Sequence, residues 1–188
     1  MATHYRQAIS RAFRSVADAL AVTSPGVAVV SVEKTRPADV TAYVANEVVS
    51  EATANATVWS FANIARVNGG SGYVVKGRVV TNLLTGQTQR LRLYLFNAAP
   101  TGNLNDNAAN TEPKYADIAK MVGFVDFDAL DNTQAGADSS ENQRDDLRLS
   151  FTCGAASRTL SGILVTLDAF TPASGQKFTI ILEVEQTT

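Results

Sequence analysis

Of 188 residues, one is cysteine, one histidine, one tryptophan and two methionine, and only 18% are charged. A single Cys153 closes no disulfide within the chain, so stability must come from buried surface or from oligomerisation, and the redox compartment stays open. Structural or catalytic zinc needs several Cys or His ligands, which Cys153 and His4 do not supply. With His4 at the head of an N-terminal segment, no histidine base stands ready for a Ser or Cys nucleophile. Cys153 alternates with Leu147, Leu149 and Phe151 and is expected to be a buried, inert thiol. No apolar run approaches the roughly 20 residues of a membrane span. The N-terminus carries Arg6, Arg11 and Arg14 but no uninterrupted apolar region with a cleavage site, so a soluble, unexported chain is expected. A formal net charge of −2 gives no overall attraction for nucleic acid or anionic membrane.

What is present is apolar residue in quantity, 45% of the chain, with a surface left to Ser, Thr, Asn and Gln. That suffices for one cored domain plus an appendage. Tyr5, Ile9, Phe13, Val16 and Leu20 recur at three- and four-residue spacing behind Thr3, a candidate N-cap, and predict one amphipathic helix. Thr23-Ser24-Pro25-Gly26 stops it, and the β-branched run Val27 to Val32 predicts a strand. From Pro37 the period becomes two, so residues 1–36 are assigned to an N-terminal helix and arm and 37–188 to a β-sandwich.

Within that domain, Tyr73, Val75, Gly77 and Val79 alternate with Val74, Lys76, Arg78 and Val80. A turn at Thr85-Gly86 leads to Leu91, Leu93 and Leu95, alternating with Arg92, Tyr94 and Phe96, which predicts a hairpin. Leu147, Leu149, Phe151 and Cys153, then Ile163, Val165 and Leu167, then Phe178, Ile180, Leu182 and Val184 are further strand faces expected in the core. Trp59 and Phe61 share a phase that slips at Ile64, predicting a bulge near Asn63. Thr111-Glu112-Pro113 is read as capping a short helix with Tyr115, Ile118 and Val122 on one side. Two long polar connections, Asn97 to Thr111 and Asp131 to Asp146, are the candidate contact surfaces.

Candidate chemistry is thin. Glu183 and Glu185 share a strand face, as a glycosidase pair would, but alternation with Leu182 and Val184 places them on a solvated face. Asp126, Asp128, Asp131 and Asp138 lack the spacing of a calcium loop and are expected to be solvated. Gly69-Gly70-Ser71-Gly72 is followed by no phosphate-binding lysine and is expected to be a turn. Arg6, Arg11 and Arg14 face a single acid, Asp18, and suit either docking on an acidic partner or plain solvation.

The run Leu91-Arg92-Leu93-Tyr94-Leu95-Phe96-Asn97-Ala98-Ala99-Pro100-Thr101 precedes Asp106-Asn107-Ala108-Ala109 and then Val122-Gly123-Phe124-Val125-Asp126-Phe127. Upstream stand Pro37-Ala38-Asp39-Val40-Thr41-Ala42-Tyr43, the pair Val48-Val49 and the Gly69–Gly72 turn. In order and spacing, from Pro37 to Phe127, this resembles a family of tailed-bacteriophage structural proteins. The resemblance implies an all-β, jelly-roll-like antiparallel sandwich, encoded near the capsid genes, that coats or reinforces the head shell as a decoration or cement protein. It further implies a symmetric homotrimer on the capsid exterior, made in the host cytoplasm, with the major capsid protein as partner, no cofactor, no metal and no catalytic residue. Arg6, Arg11, Arg14, Asn97, Asp106, Asn107, Asp138 and Glu141 are the expected capsid or oligomer contacts. The alternatives are a carbohydrate-binding or fibre-type jelly-roll module, and a glycan hydrolase acting through Glu183 and Glu185.

Overall fold

A computed structural model describes residues 26–84, 87–131 and 137–187. The expected N-terminal helix, with Arg6, Arg11 and Arg14, lies outside the described residues, as does the Thr85-Gly86 turn. Ten strands follow: β1 (Gly26–Thr35), β2 (Val48–Val49), β3 (Trp59–Phe61), β4 (Ser71–Thr81), β5 (Leu91–Phe96), β6 (Met121–Phe127), β7 (Ser140–Arg144), β8 (Leu149–Thr152), β9 (Leu160–Thr166) and β10 (Lys177–Gln186).

All pair antiparallel in two sheets, one ordered β1-β10-β4-β7 with β8 also on β4, the other β2-β9-β5-β6 with β3 also on β9. If β2/β3 and β7/β8 each count as one interrupted strand, successive strands alternate between the sheets except β5 and β6, which are neighbours in the second, and the two strand orders are those of a jelly roll. The strand Gly26–Thr35 pairs along its whole length with β10, so this part of the arm is built into the sandwich.

The core lies between the sheets. Phe178, Ile180, Leu182 and Val184 of β10 face Leu91, Leu93 and Leu95 of β5, with Trp59, Phe61 and Phe127 closing around them. Gly162 makes room for this packing: a Cβ there would lie 3.0 Å from Leu93 and 3.1 Å from Phe61. A smaller cluster of Val48, Tyr94, Phe96, Ile163 and Val165 forms on the second sheet's other face, so Ile163 and Val165 face away from the intersheet core that holds Leu160 and Leu164. β9, central and covered on both sides, is accordingly apolar in both phases.

Several local expectations are corrected. β4 and β5 are not a hairpin. They lie in opposite sheets, and the connection between them crosses the end of the sandwich, where Gln176 donates to Thr81 and Gln87 at 2.7 Å each. Local alternation marks a strand but not the sheet that takes it. The bulge falls in β4: Glu183 pairs with Lys76 but Val184 with Val74, so Val75 is the extra residue and the inward phase passes from Val74 to Gly77 and Val79. At Asn63 there is no bulge, because β3 ends at Phe61 and Asn63 turns the chain at φ 59°. The short helix is a single 3-10 turn, Tyr115–Asp117, and Val122 already belongs to β6. The connection Asp131–Asp146 contains β7, whose residues Ser-Glu-Asn-Gln-Arg show no apolar alternation because only Ser140 is buried.

Leu182 is fully buried at the centre of β10. Leu182→Ala should therefore lower the unfolding free energy by about 2–5 kcal/mol in urea titrations, while the exposed Val44→Ala should change it by under about 0.5 kcal/mol.

Candidate contact surface

The polar connection Asn97–Lys120 is an ordered structure. Its middle pairs with the outer edge of β2: Val48 N–H donates to Ala108 O at 2.9 Å, Asn107 N–H to Val48 O at 3.0 Å, and Asn110 N–H to Asn46 O at 2.8 Å. This covers an edge whose backbone groups would otherwise lie open.

Asp106 holds that cover down. Its carboxylate is wholly enclosed and accepts from Arg36 Nη2 at 2.8 Å, from Tyr43 Oη at 2.5 Å and from Ser50 N–H at 2.9 Å. Arg36 also donates to Tyr43 Oη and to Asn107 Oδ1, and its guanidinium lies 4.6 Å from the Tyr43 ring, which stacks on Phe170 at 4.7 Å. Burial would lower Arg36, but Asp106 and Tyr43 outweigh it and hold Arg36 above its ordinary value. Burial, then Asp106, raise the Tyr43 phenol, so it stays a donor.

A second lock sits nearer β6. Asp117, fully enclosed, accepts from Lys120 Nζ, Thr101 N–H and Thr101 Oγ1 at 2.7 Å each, and these bonds hold it below the ordinary carboxylate value. Glu112 accepts from Lys114 N–H at 2.7 Å through one oxygen, while the other is buried without a partner. Burial, with Asp117 nearby, raises Glu112.

Between these anchors the 3-10 turn lifts Tyr115 and Ile118 outward, 95% and 54% exposed. The periodicity that assigned them to one helix side predicts packing inward. The turn is too short for that and buries Asp117 instead. Val122 belongs instead to β6, where it is the extra residue at the register shift opposite Leu95 and Phe96 and packs on the intersheet core.

The expected contact residues divide. Asp106 is enclosed and Asn107 is bonded to Arg36, so both build the surface from beneath. Asn97 donates its N–H to Lys120 O at 2.9 Å and closes the base of the connection. Asp138 and Glu141 lie on the first sheet's edge: Glu141 pairs with Arg78, and Asp138 is exposed at an open pocket of about 380 Å³ shared with Glu33, Asn82, Lys177 and Thr179. Arg6, Arg11 and Arg14 lie outside the described residues. Glu183 and Glu185 occupy the outer face of β10, opposite Lys76 and Tyr73. Cys153 is buried, and burial raises its thiol. Asp126 is paired with Arg92 at 2.5 Å and Asp128 lies 3.8 Å from Arg144.

No family model and no curated protein matches the sequence. Among solved structures, the chain is similar to one from the acid-stable capsid of Helicobacter pylori bacteriophage KHP30, at 10% identity over 86% of this chain and 89% of that one, with a TM-score of 0.32. It is similar to one from Desmodium yellow mottle tymovirus at 11% identity, covering 86% and 87%, TM-score 0.30. It is also similar to the K3 adhesin domain of Lys-gingipain from Porphyromonas gingivalis, at 7% identity, covering 74% and 71%, TM-score 0.31. With likeness this remote, the fold stands on its own strand order.

Asp106→Asn should lower stability by about 3–5 kcal/mol, because it leaves the enclosed Arg36 charge with only the partly exposed Asp39, 3.6 Å away, as counterion. The two other carboxyls act in opposite senses with pH. Asp117, lowered, contributes stability that is lost as pH falls below its ordinary 3.8, so Asp117→Asn should flatten the acid limb of a urea-midpoint profile. Glu112, raised, favours the folded state when protonated, and that contribution fades as pH rises above its ordinary 4.5. Glu112→Gln should therefore gain on the native protein above that pH.

Proposed function

We propose that this protein is a structural component of a tailed-bacteriophage virion, a decoration or cement protein that binds the major capsid protein on the outside of the head and stabilises the shell. The observation that carries this reading is the contrast within residues 97–120. Two enclosed carboxylates, Asp106 and Asp117, fix the backbone, while Tyr115 and Ile118 are held in water. Large side chains offered on an immobilised support lose little freedom on docking, which is how anchor residues of an interface are built. The jelly-roll order and the sequence resemblance agree with this role, and it requires no cofactor and no turnover. Several such contacts per subunit would add through effective concentration.

A glycan-binding role on the same fold is the second reading. Phe124 favours it, half exposed on β6 with the Arg92 guanidinium 4.2 Å from its ring. Trp59 and Tyr94, the other ring candidates, are buried and offer no platform.

Co-sedimentation with heads that lack the protein separates the two. Saturable binding at a copy number matching shell symmetry, with greater heat resistance of the heads, is expected. Tyr115→Ala with Ile118→Ala should weaken it about tenfold or more. Removing residues 1–24, which stops short of β1, tests anchoring by the N-terminal arginines. Absence of saturable binding by the intact chain would overturn the reading in favour of the glycan-binding one.

A further inference from the structure

The sheet edges are defended unequally. β2 is covered by residues 106–110, and β3 is three residues long. β6 carries Asp126 and a register shift, with Gly123 at φ 151°. β7 carries Glu141 and Arg144, and β8 is four residues long. These are the usual devices against edge-to-edge pairing. β1 has none of them over Gly26–Val32, a run without charge, proline or register shift. Among the described residues its far end is tied, where Lys34 donates to Ser50, Glu51 and Thr57, and at its start the Arg66 guanidinium lies against the inner side of Gly26.

Among the described residues, no backbone bond joins Gly26–Glu33 to anything but β10. Alternate N–H and C=O groups of such a strand point away from the sheet. Val27 and Val29 are each 64% exposed, and Ala28, Val30 and Val32 on the inner side are only partly buried.

We propose that β1 pairs antiparallel with β1 of a second copy about a two-fold axis at Val29, so that one sheet runs through both protomers. Side-chain parity permits this register: Val29 meets Val29, Ala28 meets Val30, Val27 meets Ser31 and Gly26 meets Val32, each pair on one face. No charge meets a like charge. Glu183 and Glu185 stand one strand in from the edge, so the acids of the two copies are about three strand spacings, roughly 14 Å, apart, which exceeds the roughly 8 Å screening length. Pairing satisfies the outward backbone groups and removes the inner valines from water in one step. The contact is isologous and produces twos, not the threes that the sequence resemblance implies. It stands independently of head binding.

Sedimentation of the full-length chain at micromolar concentration tests it. The expected mass is twice the 20.0 kDa of the chain. Val27→Lys with Val29→Lys should return it to the single-chain mass with an unchanged circular dichroism spectrum. Val29→Cys should give a disulfide-linked dimer on mild oxidation, because directly opposed residues lie within disulfide reach. Val27→Cys should not, since its copies would be offset by about 13 Å along the strands. A wild-type chain of single mass would overturn the proposal, whether or not removing residues 1–24 then exposes the edge. So would a trimer that survives the lysine pair, or cross-linking at position 27 as ready as at 29.

Discussion

The ion pair between Arg36 and Asp106 is the contact on which the shape of this surface depends. It spans seventy positions of sequence and joins the chain leaving β1 to the connection between β5 and β6. Enclosing two charges is costly, and the cost falls as the remaining donors and acceptors find partners. Tyr43, Ser50 and Asn107 supply them for all but Arg36 Nη1, which is buried without one, and Phe170 stacks on the Tyr43 ring. The connection that would otherwise be a mobile loop becomes the outermost cover of the second sheet.

From that constraint follows the division of labour in the molecule. The intersheet core supplies the stability expected of a domain this size, and the polar anchors set where the backbone of residues 97–120 runs. Asp117 repeats the device on a smaller scale with Thr101 and Lys120. Tyr115 and Ile118 stay in water because the turn that bears them has its carboxylate, not its ring, buried. Lys34 follows the same logic at the end of β1. Burial lowers it, while Glu51, brought down to about 2 by bonds from Lys34, Thr57 and Ser50 against its own burial, supplies the counterion.

Much of the fold was legible in the sequence. Strands with one wet face announce themselves by alternation, as β10 does from Phe178 to Val184, and the jelly-roll class follows from many such strands. What alternation does not carry is the identity of the neighbouring strand, which is why β4 and β5 looked like a hairpin. An edge strand of polar residues such as β7 has no pattern to detect. The polar connection was legible as a segment, but which of its side chains are enclosed and which are exposed was not. Asp106 stood out in a polar stretch and is in fact enclosed, because its partner Arg36 is remote in sequence. Tyr115 and Ile118 looked like a packed helix side and are exposed, because helix spacing was read across what is a turn followed by a strand.

Amide hydrogen exchange, measured on the free protein and again on the protein bound to heads, tests the central claim that residues 97–120 form a pre-built docking surface. The account predicts that the amides of Asp106, Asn107 and Asn110 exchange as slowly in the free protein as those of β2, and that head binding adds protection around Tyr115 and Ile118. Fast exchange throughout 97–120 in the free protein, or binding that leaves this segment unchanged and protects another face, would contradict it.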